Sequence, residues 1–269
     1  MNTVHAVILT LMIALAGSLM AGEKRLFNPE FYAFANGVSS SAPEDEAEAL
    51  KALGYSGISQ VTKGGNDLAK RLAAYDKVGL KVLSIYLDVG DKPIEPDVVR
   101  PLAGRGAMIE LTVRKMTPNT VRTVRQTADM AAGMNIRVAL YPHYGFSIAT
   151  MPQALDLIAK VDHSNLGVMF NLCHFLKSEK AEDLESILET AKPHLFAVST
   201  SGADLGGKTW KQLIKTLDQG TFPQERLFRA LRLQGFSGPV SLQCYGIKGD
   251  KQMNLRRSME AWRLLSEAF

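Results

Sequence analysis

Eight times along this chain a short apolar run gives way to an amphipathic stretch, and no low-complexity linker interrupts the alternation. The runs fall at 31–36, 56–61, 80–87, 107–113, 136–141, 165–170, 195–199 and 239–243. Short and bounded by turn residues, they read as buried strands. Helical patterns lie between them, at 43–53, 65–78, 118–133, 151–161, 181–191, 223–234 and 252–268, with a weaker one near 97–103. The first opens on Pro43-Glu44-Asp45-Glu46 after Ser41 or Ala42, which suits the positive end of a helix. Several strands are preceded by a helix that stops on glycine: Leu53-Gly54-Tyr55, Val78-Gly79-Leu80 and Gln234-Gly235-Phe236.

Strand and helix in strict alternation build a parallel sheet covered by helices, so the chain is α/β. About eight units in roughly 250 residues is the arithmetic of a single (β/α)8 TIM barrel. A doubly wound open sheet would need a glycine-rich phosphate loop after its first strand, and Asn36-Gly37-Val38 is not one.

The first 21 residues stand apart, with no Lys, Arg, Asp or Glu before Glu23-Lys24-Arg25. An apolar run from Ala6 to Ala16 and the small-residue ending at Ala21 have the outline of a secretory signal peptide. Residues 1–21 are therefore expected to be a cleaved signal and 22–269 the barrel, exported to the periplasm or beyond, with no stable membrane span left after cleavage. A retained anchor is the other reading, although the run is short for a bilayer span. Two cysteines allow neither a disulfide framework nor a four-cysteine zinc site, and parity turns Cys173 inward and Cys244 outward. The net charge of +4 is dispersed among acidic residues, which gives no case for nucleic acid as a partner. Oligomeric state is not encoded in any of these features.

In a barrel, chemistry belongs at the C-terminal ends of the strands. Those tips are polar here: Asn36; Gln60; Tyr86 and Asp88; Arg114 and Lys115; Tyr141 and His143; Asn171 and His174; Ser199, Ser201 and Asp204; Gln243 and Tyr245. Side chains alternate along a strand, so Tyr141, Asn171, Ser199 and Gln243 turn inward together with Ala139, Met169, Ala197 and Ser241. Val138, Leu140, Val168, Phe170, Val198 and Leu242 then face the helices. Small residues inside and bulky ones outside fit a ligand-sized mouth. Glu110 is the carboxylate that alternation places inside, and Arg137 on the next strand is its expected ion-pair partner. Asn171 and Gln243 could satisfy one another across the mouth. Tyr86, Tyr144, Phe146, Phe175 and Tyr245 gather near the tips, where aromatic faces stack on pyranose rings.

The strings Leu53-Gly54-Tyr55-Ser56-Gly57-Ile58, Ala139-Leu140-Tyr141-Pro142-His143, Asn165-Leu166-Gly167-Val168-Met169-Phe170-Asn171-Leu172-Cys173-His174 and Gly238-Pro239-Val240-Ser241-Leu242-Gln243 resemble the xylose isomerase-like TIM-barrel superfamily. Its members include sugar-phosphate isomerases and epimerases and an endonuclease. The resemblance spans the mature chain. It implies four ligands to a divalent metal at the ends of strands five to eight: a Glu, an Asp in a D-x-x-H string, a His and a last Glu. Those positions fall on Tyr141, Asn171, Ser199 and Gln243, and only His174 of the D-x-x-H string is retained. Hard cations favour charged oxygens, so no metal ligand is assigned and no cofactor is expected, a weakly held divalent ion being the alternative.

What remains is a neutral pocket whose donors and acceptors suit sugar hydroxyls. His174 and His143 are the candidate catalytic residues, with His174 expected in the loop leaving strand six. Tyr141, Asn171, Gln243, Tyr245, Ser199, Tyr86 and Arg114 are the candidate substrate-binding residues. The partner implied is a small carbohydrate, although Arg114 and Lys115 could also clamp a phosphate or carboxylate. The activity implied is that of a sugar isomerase, epimerase or lyase; a catalytically silent carbohydrate-binding barrel, an isomerase with an atypical metal site and an endonuclease-like protein are the alternatives.

Overall fold

The computed structural model describes residues 27–38 and 42–267, so the charge-free segment and its expected cleavage point lie outside the described residues. Eight parallel strands close into a barrel in chain order. They are β1 Phe31–Phe34, β2 Gly57–Gln60, β3 Lys81–Asp88, β4 Met108–Thr112, β5 Arg137–Leu140, β6 Leu166–Asn171, β7 Leu195–Thr200 and β8 Val240–Leu242. The helices are α1 Pro43–Leu53, α2 Gly65–Lys77, α3 Pro96–Val99, α4 Thr120–Ala132, α5 Met151–Val161, α6 Leu172–Ser178, α7 Leu184–Ala191, α8 Trp210–Leu213, α9 Gln224–Leu233 and α10 Lys251–Glu267. No helix among the described residues is long and apolar enough to cross a membrane.

Each expected strand is present. Gly54 ends α1 with φ at +92°, and its N–H returns to the carbonyls of Leu50 and Lys51; a β-carbon would be strained there. On the outer face of the barrel Val138, Leu140, Val168, Phe170, Val198 and Leu242 are buried, as their parity required. Burying a side chain of this size contributes about 1.5–3 kcal/mol. The ring closes where β1 pairs with β8, Tyr32 opposite Ser241. There α10 stacks Trp262 flat on Phe31, ring centroids 4.2 Å apart, and the Tyr55 hydroxyl donates to the Leu255 carbonyl at 2.8 Å.

Register and parity together sort the barrel interior into layers of four, each supplied by alternate strands. Phe34, Tyr86, Tyr141 and Ser199 form the layer under the mouth; Phe34 meets Tyr86 at 6.1 Å and Tyr86 meets Tyr141 at 5.3 Å. Below it lie Ser59, Glu110, Met169 and Ser241, then Tyr32, Ser84, Ala139 and Ala197.

Three expectations need correction. Glu110 does not pair with Arg137: register sets Glu110 opposite Ala139 and Arg137 opposite Met108, at the barrel floor. The Arg137 guanidinium lies over the Phe196 ring, 4.9 Å from its centroid, while Glu110 accepts the Ser84 hydroxyl at 2.5 Å. His174 is not in a loop, because α6 starts directly at the end of β6 with Asn171 as its N-cap. Asn171 and Gln243 do not bond each other; both donate to the Tyr141 hydroxyl.

Candidate functional site

The mouth at the C-terminal ends of the strands opens into a cavity of about 400 Å³ whose wall includes Phe34, Tyr86, Tyr141, His143, His174, Trp210 and Gln243. Its polar floor is organised by one hydroxyl. Tyr141 is 2% exposed, and its Oη accepts from Asn171 Nδ2 and, at 3.2 Å, from Gln243 Nε2. The amide oxygens are committed elsewhere. Asn171 Oδ1 accepts the Cys173 thiol at 3.1 Å and the His174 backbone N–H at 3.5 Å as the cap of α6, and Gln243 Oε1 accepts the Tyr245 N–H at 3.0 Å. Backbone donors thus fix which way each amide faces. With both lone pairs occupied by N–H groups, the phenol is left with its own O–H to give, sharpened by the donors behind it. Burial pushes its pKa well above the usual tyrosine value, so it stays protonated.

Two imidazoles complete the wall, with ring centroids 4.0 Å apart. His143 Nδ1 lies 2.8 Å from the Tyr144 carbonyl, which only accepts, so Nδ1 carries the proton and Nε2 a lone pair. His174 Nδ1 accepts the Tyr144 N–H at 3.2 Å, so there the proton sits on Nε2. One neutral ring offers an acceptor and the other a donor. Burial, with the neighbouring His143 as a smaller cause, pushes His174 down to about 3; burial lowers His143 as well. Both rings are neutral at pH 7. Phe146 stacks on His143 at 4.0 Å, and Trp210 meets His174 edge-on at 5.1 Å.

The remaining expected residues divide. Tyr86 lines the wall with its pKa pushed up to about 12 by burial, and Tyr245 stands 59% exposed at the rim. Asn171 and Ser199 lie behind the cavity surface: Asn171 supports Tyr141 and α6, and Ser199 is wholly buried with its Oγ unpartnered. Arg114 is turned to Asp88, which also takes the Thr112 hydroxyl, and its guanidinium lies 4.3 Å from the Phe146 ring centroid. It is a neutralised pair, not an open anion clamp. Trp210 was not foreseen. The signal for it was available, since Thr209-x-x-Gln212 forms a capping box at the start of α8, in the long connection after β7.

A divalent cation does not fit this arrangement. The four positions where the resemblance expects ligands carry no charge, and the amides turn N–H donors, not oxygens, toward the hub. Among the described residues no three His, Cys, Asp or Glu side chains come together in a way that could hold a metal.

A closed eight-stranded barrel with its polar cluster at the C-terminal mouth defines the class: a TIM-barrel protein with a candidate small-molecule site. Residues 97–265 match the sequence profile of the xylose isomerase-like TIM barrel, and the chain belongs to that family. No curated protein matches it in sequence. Among solved structures it is similar to an L-ribulose 3-epimerase, at 13% identity and TM-score 0.72, over 89% of this chain and 95% of that one. It is also similar to a 3-keto-D-glucoside 4-epimerase from E. coli, at 16% identity and TM-score 0.68, over 88% and 100%. A third is a xylose isomerase-like TIM barrel/4-hydroxyphenylpyruvate dioxygenase fusion protein, at 15% identity and TM-score 0.68, over 87% of this chain; the chain spans 42% of that fusion's length.

Proposed function

We propose that this chain is an exported, carbohydrate-active member of its family whose mouth binds a small neutral sugar without a divalent metal. The observation that carries the reading is the Tyr141 hub, where two amides with committed oxygens leave a buried O–H free to donate. Such a preorganised donor stabilises a sugar oxygen, including one on which negative charge develops. The lone pair on His143 Nε2 is the proton acceptor that isomerisation or epimerisation beside a carbonyl requires. His174, held neutral with a proton on Nε2, orients a hydroxyl. Tyr86 and Trp210 offer apolar faces to a ring. Two of the structural neighbours are epimerases of sugars, which agrees with this class of ligand. A barrel that binds sugar and turns nothing over is favoured by one feature: the interior carboxylate, Glu110, is sealed away from solvent.

The test is calorimetry and thermal shift of the mature protein against a panel of neutral ketoses and aldoses, with and without a chelator, followed by product analysis. At least one sugar should bind equally well in either condition. Binding only with added Mn or Co, or a metal content near one per chain, would overturn the reading. Gln243→Leu should keep the fold and weaken that sugar by roughly 10- to 100-fold, because the hub loses one of its donors. Export has its own check: N-terminal sequencing of native protein should begin at Gly22, and a start at Met1 would remove the signal reading.

A further inference from the structure

The barrel axis beneath the mouth holds oxygens that no protein group satisfies. Glu110 on β4 is wholly buried; its Oε1 accepts the Ser84 hydroxyl, and its Oε2 has no partner. Ser59 Oγ on β2 and Ser199 Oγ on β7 are equally buried and equally unpartnered. Parity turns all three side chains toward the axis. Ser59 and Glu110 share one layer, and Ser199 sits in the layer above with Tyr86 and Tyr141.

Barrel layers are ordinarily filled by bulky branched side chains. Here Ser59, Ser84, Ala139, Ala197, Ser199 and Ser241 are all small, all buried, and four of the six are polar. Buried oxygens without partners are rare in folded proteins, and a polar space with two to four such groups is what an internal water needs. We propose that the barrel axis under the mouth is a second binding site, for ordered water held by Glu110, Ser59 and Ser199, and that Glu110 acts through it as a positioning residue for the Tyr141 hydroxyl. The consequence for ligand rests on the sugar reading; the site itself does not.

Water suits these groups better than a monovalent cation, because burial pushes the Glu110 carboxyl up to about 7 and two uncharged hydroxyls make up the remainder. The titratable groups facing Glu110 are Tyr86 on β3, Tyr141 on β5 and Tyr32 on β1, all pushed upward and protonated. Ser59, Met169, Ser199 and Ser241, from β2, β6, β7 and β8, carry no charge. When Glu110 ionises it becomes a pure acceptor, and the water it orders turns a proton toward it. Tyr141 should register that change.

Two measurements on the full mature chain test this without any sugar. Magnetic relaxation dispersion of water counts long-lived internal molecules: Glu110→Met, which fills the axis with an apolar chain, should lose at least one relative to wild type. In protein carrying 13C at tyrosine Cζ, the Tyr141 resonance should move as pH crosses about 7, and Glu110→Gln should abolish the movement while keeping the fold. Equal water counts in wild type and Glu110→Met, an unchanged Tyr141 titration in Glu110→Gln, or a sodium or potassium ion on the three oxygens in a crystal structure would overturn the proposal. Failure of every sugar to bind would leave both signals in place and would count only against the sugar reading.

Discussion

Tyr141→Phe is expected to abolish sugar binding and to lower stability by roughly 2–5 kcal/mol. The substitution removes one oxygen atom and leaves the ring's packing against Tyr86 and His174 intact. What it strands are two buried amide donors, Asn171 Nδ2 and Gln243 Nε2, on residues 3% and 4% exposed. Each unsatisfied buried polar group costs about 1–3 kcal/mol, whereas removing partners together is nearly neutral. The melting temperature should therefore fall by roughly 5–15 °C. A triple variant that also carries Asn171→Leu and Gln243→Leu should recover part of it, less the N-cap that Asn171 supplies to α6. Thermal denaturation and calorimetry of the single variant check both effects. An unchanged melting temperature would mean that the hydroxyl is not the hub of the cluster.

Glu110 should make the protein less stable as pH rises from about 4.5 to 7. In the fold burial lifts its carboxyl to about 7 from the ordinary 4.5, outweighing the hydrogen bond from Ser84 and the smaller influence of the neighbouring Ser59 hydroxyl. Between those values the folded state keeps the proton and the unfolded chain releases it, so stability is present at low pH and is lost up to the folded pKa. The loss amounts to about 3 kcal/mol and is complete a little above pH 7. Glu110→Gln carries no titrating proton there and should lack this component. Urea denaturation of both proteins at several pH values isolates it, since every other titrating group is common to the two. Parallel stability curves would place the carboxyl in a better solvated setting.

The outer architecture was legible because its signals are local. Helix ends such as Leu53-Gly54 and apolar runs such as Val138 and Leu140 depend only on neighbours in sequence. The inner architecture depends on register, which parity alone does not supply. Glu110 and Arg137 share the inward parity of adjacent strands, yet the pairing of β4 with β5 drops Arg137 to the floor. Parity turns Tyr141, Asn171 and Gln243 inward together, but it does not say that the two amides meet on the Tyr141 hydroxyl and not on each other. The helix carrying His174 escaped notice because its first turn follows the strand without a break and its cap is the strand's own last residue, Asn171. Asn171 thus ends β6, caps α6 and holds the hub in a single side chain, three roles that a one-dimensional reading assigns to one.

The seam between the two ends of the chain bears on the order of events during synthesis. Phe31 near the start packs on Trp262 near the finish, and β1 finds one of its two neighbours only in β8. Every contact that locks the first strand on that side is separated from it by nearly the whole polypeptide, and non-local contacts of this kind are the last to form. A nascent chain that has not yet released its C-terminal helix has no closed cylinder to fall into. Closure of the cylinder is therefore the last step of assembly, with β8 and α10 acting as its clasp.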